Sequence, residues 1–251
     1  MKTTDALYQY CLRLGDNNLI MAQRLAEWCS RGPFLEEDLA ITNISLDLFG
    51  QAETLYTYAA SLKGDMTPDT LAFHRNERQY LNTLLVEQPN GDFAQTMVKI
   101  FLYASYCRYL YTALLQSHDE TLKGFAAKAI KETKYHIRHS SEWIVRFGLG
   151  THESRERAQK AIEELWRFAQ DLFEVNEVDD HLISFGITSN PEDFHGTWLL
   201  EVSELLQEAG LTKPDVVNVI KGGYQGIHTE HLGHLLTEMQ YLQRAYPDAS
   251  W

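Results

Sequence analysis

The chain has 251 residues and a formal charge of −13, from 35 acidic against 22 basic side chains. That balance repels polyanions, so neither nucleic acid nor an anionic membrane is an expected partner. Cys11, Cys29 and Cys107 form no C-x-x-C pair and read as reduced, buried thiols of a cytoplasmic protein, with no signal peptide or membrane span expected.

Apolar residues recur at three- and four-residue spacing and β-branched residues never alternate over a strand's length, which predicts an all-α protein. The first helix is expected over residues 4–29, with Leu7, Cys11, Leu14, Met21 and Leu25 on its apolar side. Ser30-Arg31-Gly32-Pro33 stops it. A second, over 35–62, ends at Lys63-Gly64-Asp65 and makes an antiparallel hairpin with the first. The crossover that follows, 63–92, carries its own expected helix over 70–86, between Pro68-Asp69 and Gln88-Pro89-Asn90-Gly91. A third helix, 93–117, is apolar and aromatic round most of its circumference, so it is central or covered by a partner. The fourth spans 120–147. Beyond it come a helix over 154–173 capped by Ser154, an irregular stretch over 179–190, and helices over 191–209 and 226–246. Two hairpins joined by a long crossover form the ferritin-like arrangement. The expected organisation is one ferritin-like helical domain over 1–251, its core bundle at about 4–147 and appended helices at about 154–246.

Polar residues interrupt this apolar pattern on two helices. Asn43, Asp47, Gln51 and Thr54 step along the second, and Glu132, His136, His139 and Trp143 along the fourth. A di-iron bundle takes carboxylates from four helices, two of which also supply a histidine three residues after the glutamate. Here Asp47 is followed at that position by Gly50 and Glu132 by Tyr135, and no carboxylate lies between Met97 and Leu115. The one Glu-x-x-His, Glu192 to His195, falls on a late helix. Asp47, Gln51, Glu132 and His136 are therefore expected to be a degenerate metal site, a polar core whose members satisfy one another; metal binding and surface exposure are the other two readings. No catalytic residue and no resident metal are assigned. His228, His231 and His234 recur every three residues and could hold zinc or iron, but they lack an evident further ligand, so a structural or interface role is expected. No phosphate-binding glycine loop, G-x-S-x-G or dinucleotide fingerprint occurs.

Several segments carry a resemblance: LRLGDN from Leu12, LDLFGQA from Leu46, LLVEQPNGDFA from Leu84, KAIKETKYHIRHS from Lys128, LWRF from Leu165 and GIHTEHLGHLLTEMQYLQR from Gly226. Together they span nearly the whole chain, which resembles the C-subunit family of the ring 1,2-phenylacetyl-CoA epoxidases, or phenylacetate-CoA oxygenases. The resemblance implies a ferritin-like, non-catalytic structural subunit that pairs with a di-iron catalytic A subunit in aerobic phenylacetate degradation. It also implies a small B subunit, and a reductase carrying flavin and an iron–sulfur cluster that draws electrons from NADPH, with no cofactor in this chain. Residues 73–82 resemble the family's segment near the CoA ester, which points to Gln79, Tyr80, Leu81 and Asn82 as phenylacetyl-CoA contacts. His74 and Tyr80 depart from that pattern. Two other classes stand beside this one: a divergent di-iron oxygenase active in its own right, and a metal-binding or storage protein using His228, His231 and His234. Without its partner the chain could form a homodimer.

Overall fold

The computed structural model describes residues 1–215, 218–247 and 249, and among these the chain is all-α, with ten α-helices and no strand. The helices are α1 Thr3–Ala26, α2 Leu35–Lys63, α3 Pro68–Phe73, α4 Leu84–Glu87, α5 Phe93–Leu114, α6 Glu120–Leu149, α7 His152–Ala169, α8 Glu177–Ser184, α9 Glu192–Glu208 and α10 Glu230–Ala245. No helix among the described residues is long and apolar enough to cross a membrane. Contacts divide the chain into two compact units, Met1–Pro89 with Gly222–Trp251, and Asn90–Lys221.

The first unit is built on the α1–α2 hairpin. Leu7, Cys11, Ile20, Met21 and Leu25 of α1 and Ile41, Ile44, Leu48, Leu55 and Ala59 of α2 are buried, and the two helices pack along their length. Each buried Leu or Ile contributes about 1.5–3 kcal/mol, so the stripe pattern alone accounts for this hairpin. The Ser45 hydroxyl donates to the Ala22 carbonyl at 2.8 Å, pinning the two helices across the seam. The crossover helices α3 and α4 and the last helix, α10, complete the unit.

The second unit is built on α5 and α6. Both begin with an aspartate that caps the first turn: Asp92 accepts from the Gln95 amide at 2.9 Å and Asp119 from the Leu122 amide at 2.8 Å. Every residue from 96 to 107 is buried, in agreement with the all-round apolar character of this helix. Lys99 is among them, and its ammonium donates to Asn90 Oδ1 at 3.1 Å. An aromatic cluster of Tyr106, Phe173, Phe194 and Trp198 joins α5 to the 3₁₀ turn after α7 and to α9. The Trp198 indole N–H donates to Ser105 Oγ at 2.8 Å.

The structure corrects several expected boundaries. The helix expected over 70–86 is α3, a 3₁₀ turn at Glu77–Gln79 and α4, with extended backbone at Asn76, Tyr80 and Thr83. Its apolar spacing is helical, but the amides of Leu81 and Thr83 are captured by side chains of α1 and leave the helical ladder. The stretch taken as irregular from 179 contains α8, started by a capping box in which Asn176 accepts from Val178 N and Asp179 accepts from Asn176 N. Thr151, not Ser154, caps α7, accepting from the Ser154 amide at 3.1 Å. Cys29 is exposed beyond the end of α1, whereas Cys11 and Cys107 are buried.

Candidate functional site

Two fully buried carboxylates organise the first unit. Asp16 sits in the middle of α1, and both its oxygens are used. Oδ1 accepts from the Tyr56 hydroxyl at 2.5 Å and from Arg75, and Oδ2 accepts from Arg75 Nη1 at 2.9 Å and from the Leu81 amide at 2.7 Å. The Arg75 fork is bidentate, the geometry in which a guanidinium and a carboxylate bind most strongly. Its remaining donors reach the carbonyls of Leu71 at 2.6 Å and Gln79 at 2.9 Å, and its plane lies 4.2 Å from the Tyr80 ring centroid. Burial alone would lower the pKa of Arg75, but the Asp16 carboxylate outweighs it and holds the guanidinium above its usual value. Burial first, and then the Asp16 charge, push the Tyr56 phenol up.

Glu87, at the end of α4, is the second. Its Oε2 accepts from His228 Nδ1 at 2.8 Å and Asn82 Nδ2 at 2.9 Å, and its Oε1 from the Thr229 amide at 2.7 Å and hydroxyl at 2.8 Å. Thr229 is the residue before α10, so the carboxylate caps that helix from outside and faces the positive end of its dipole. His228 meets an acceptor at each ring nitrogen: Glu87 on Nδ1 and the Tyr80 carbonyl on Nε2 at 2.9 Å. Only the imidazolium donates from both. Burial opposes that charge, and the hydrogen bond and charge of Glu87 overcome it, raising the His228 pKa above its usual value.

Three further ties close the cluster. Asn17 Oδ1 accepts from the Thr83 amide at 2.8 Å and hydroxyl at 2.9 Å. Gln240 Nε2, on α10, reaches the carbonyls of Ala72 at 3.1 Å and Arg75 at 3.0 Å and the Tyr80 hydroxyl at 3.1 Å, while Arg244 donates to the Arg75 carbonyl at 2.8 Å. Arg24 spans the Glu87 carbonyl at 3.0 Å and the His231 carbonyl at 3.1 Å. The approach to α10 passes close to the crossover at Gly226, where φ is +69° and an added Cβ would lie 2.3 Å from the Arg78 carbonyl oxygen. A glycine is needed there for both reasons.

The residues singled out from sequence are distributed as follows. Asp47 is half-buried and Gln51 buried on α2, with Asn43 and Thr54 exposed. A step of four residues overshoots the helical turn by about 40°, which carries that stripe from water into the interior. On α6, His136 is buried, whereas Glu132 is half-buried and its carboxylate lies 3.9 Å from the Lys128 ammonium. Of the crossover residues, Tyr80 and Asn82 are fully buried, Leu81 is half-buried and Gln79 exposed. The three histidines of the last helix do not share a helical face, because α10 begins at Glu230 and leaves His228 in the preceding loop. His231 is half-buried and His234 exposed. Glu192 and His195 approach within 3.5 Å on α9, where Glu192 points to solvent. Among the described residues, no three His, Cys, Asp or Glu side chains are grouped so as to hold a metal ion.

The sequence reading carried Asp16, Asn17 and Glu87 only within runs of the resemblance and gave none of them a partner. The signal was present in the runs that carry the resemblance. LRLGDN supplies Asp16 and Asn17, LLVEQPNG supplies Glu87, and GIHTEH supplies His228 and Thr229. All three runs meet in one buried cluster.

The family model described as phenylacetic acid catabolic protein matches residues 1–251. The C subunit of the 1,2-phenylacetyl-CoA epoxidase of Escherichia coli (strain K12) is 48% identical over 245 residues, covering 98% of this chain and 99% of that protein. An all-α chain matched from end to end by that model belongs to the phenylacetic acid catabolic protein family, whose fold is ferritin-like.

Proposed function

We propose that this chain is the C subunit of a phenylacetyl-CoA 1,2-epoxidase, a non-catalytic partner that supports a di-iron A subunit in phenylacetate catabolism. The observation that carries the reading is the state of the buried carboxylates. Asp16 and Glu87 are each saturated by donors from within the chain, so neither has a lone pair to spare for a metal. Asp16 and Glu87 therefore do not fit a di-iron centre, and no step of oxygen chemistry is assigned to them. Similarity to the C subunit of an epoxidase, 48% identity over 98% of this chain, is the second support. On this reading Asp47, Gln51, Glu132 and His136 are the degenerate remainder of a metal site, kept for packing. The complex would also take up a small B subunit and a reductase bringing electrons from NADPH through flavin and an iron–sulfur cluster.

Within this function the crossover is the segment that would meet the CoA ester. Gln79 and Leu81 would face it, with Tyr80 and Asn82 holding the backbone from beneath. Iron analysis of the purified chain and turnover assays with and without the catalytic subunit test the assignment. The expected outcome is no iron and no turnover alone, and phenylacetyl-CoA- and O2-dependent NADPH oxidation once the catalytic subunit and reductase are added. A pair of irons that is lost on His136→Ala would overturn it.

A further inference from the structure

The largest concentration of exposed apolar side chains in the first unit lies on the outer side of α2. Leu35, Leu39 and Leu46 are 71%, 54% and 60% exposed, and Phe34, just before the helix, is 63% exposed. With the half-buried Thr42 and Phe49 they run 35, 39, 42, 46, 49, in alternating steps of four and three. That is the spacing of an a/d seam, the pattern by which one helix receives another. The opposite side of α2, with Ile41, Ile44, Leu48 and Gln51, is buried, so a single helix carries two apolar faces, and among the described residues the outer one keeps Leu35, Leu39 and Leu46 exposed. At Gly50, beside the seam and one turn on from Leu46, an added Cβ would meet nothing within 4 Å, which leaves room for a second backbone to come close. The seam covers about 21 Å, or two heptads, at the helical rise per residue.

Charge selects the occupant. From residue 35 to residue 62 there is no Lys, Arg or His, while Glu36, Glu37, Asp38, Asp47 and Glu53 are present. Positions flanking a seam set partner choice through ion pairs. A second copy would bring this cation-free helix against itself, within a pair of chains that each carry −13. The fitting occupant has an apolar stripe bordered by Lys and Arg.

Resting on the function proposed above, we infer that the outer seam of α2 docks an amphipathic helix of the catalytic subunit, and that this helix is flanked by basic residues. The seam leucines supply the apolar contact, and the carboxylates steer association and fix orientation.

The test is pairing of the purified full-length chain with the purified catalytic subunit, followed by size-exclusion chromatography with light scattering and by titration calorimetry. Leu39→Glu/Leu46→Glu places new charges in water on the free chain, so helicity and melting temperature of the isolated variant are checked against the parent. Its Kd for the catalytic subunit should rise at least about 100-fold, as expected when two central apolar anchors are lost. Leu200→Glu, an equally exposed leucine on α9, should leave pairing unchanged. Glu36→Lys/Glu53→Lys, which spares the leucines, should weaken pairing about tenfold and flatten its salt dependence. The inference is overturned if the double leucine variant binds within about threefold of the parent, or if the chain alone is a dimer that this variant dissolves. Parent chain that fails to pair at all overturns the functional reading as well, a result distinct from pairing that ignores the seam.

Discussion

Glu87→Gln isolates the charge at the centre of the cluster while keeping its shape. Glutamine retains one carbonyl oxygen for the Thr229 amide and hydroxyl, so the external cap of α10 survives. The other oxygen becomes an NH2 that faces the Asn82 amide nitrogen and His228 Nδ1, both donors in the parent. His228 can answer by losing a proton, accepting at Nδ1 and still donating from Nε2 to the Tyr80 carbonyl. Asn82 either keeps its bond to the Thr83 carbonyl and loses the one to residue 87, or turns its amide to accept from the new NH2 and loses the bond to Thr83. Exchange of a charge-assisted bond for a neutral one and the loss of one buried donor together cost about 2–3 kcal/mol. For a chain of this length that is a fall in melting temperature of about 5–10 °C.

The same substitution has a pH signature. The folded pKa of His228 is raised above its unfolded value near 6.5, so its stabilisation is complete below that value and is lost as pH rises through the folded pKa. Parent protein should therefore lose stability as pH rises above 6.5, each unit of elevation contributing about 1.4 kcal/mol. In Glu87→Gln that slope should be largely gone. Urea unfolding followed by circular dichroism at a series of pH values measures both effects. A variant within about 0.5 kcal/mol of the parent that keeps the parent's pH slope would refute the imidazolium–carboxylate assignment.

Asp16→Asn should be more damaging, at about 3–5 kcal/mol, because it leaves the buried Arg75 guanidinium without its counter-charge; recovery of soluble protein and its urea midpoint report this. Gly15→Ala should destabilise by about 1–3 kcal/mol, since the new methyl would lie 2.6 Å from the Tyr56 ring, which its bond to Asp16 holds in place; its melting temperature is the measurement. A thiol reagent should modify Cys29 in the native protein and reach Cys11 and Cys107 only on unfolding, with burial pushing the Cys107 thiol up to about 12 and adding to its protection.

Helical period and punctuation sufficed for the two hairpins, because their apolar residues recur at helical spacing and breakers or caps mark their ends. They failed at the crossover for a reason that periodicity cannot register. Residues 70–86 have helical spacing, yet Asp16 and Asn17, more than sixty positions earlier, take the amides of Leu81 and Thr83. Long-range side-chain capture of backbone is invisible to any local window. The last helix failed in a similar way: the step of three from His228 to His231 suggested a shared face, but Thr229 and Glu87 start the helix after His228. The short α8 was missed because its acidic run masked a capping box. At the candidate site, the spacing of Glu and His along the chain carried no signal. It could not show that the deepest carboxylates would be occupied by Arg75 and His228, since those partners are paired by the fold alone.

The Glu87–His228 pair also imposes an order in time. The two residues are 141 positions apart, with the whole second unit lying between them in the chain. At about 5–20 residues per second, a ribosome takes roughly 7–28 s to cover that interval. Throughout it, the carboxylate of Glu87 lacks its cation, and the approach to α10 that should cover the crossover does not yet exist. The first hairpin is made first and finished last. A nascent chain of this kind should remain open to chaperones and proteases until α10 emerges, so that the arrival of this helix, and not only of the first hairpin, licenses the unit for assembly.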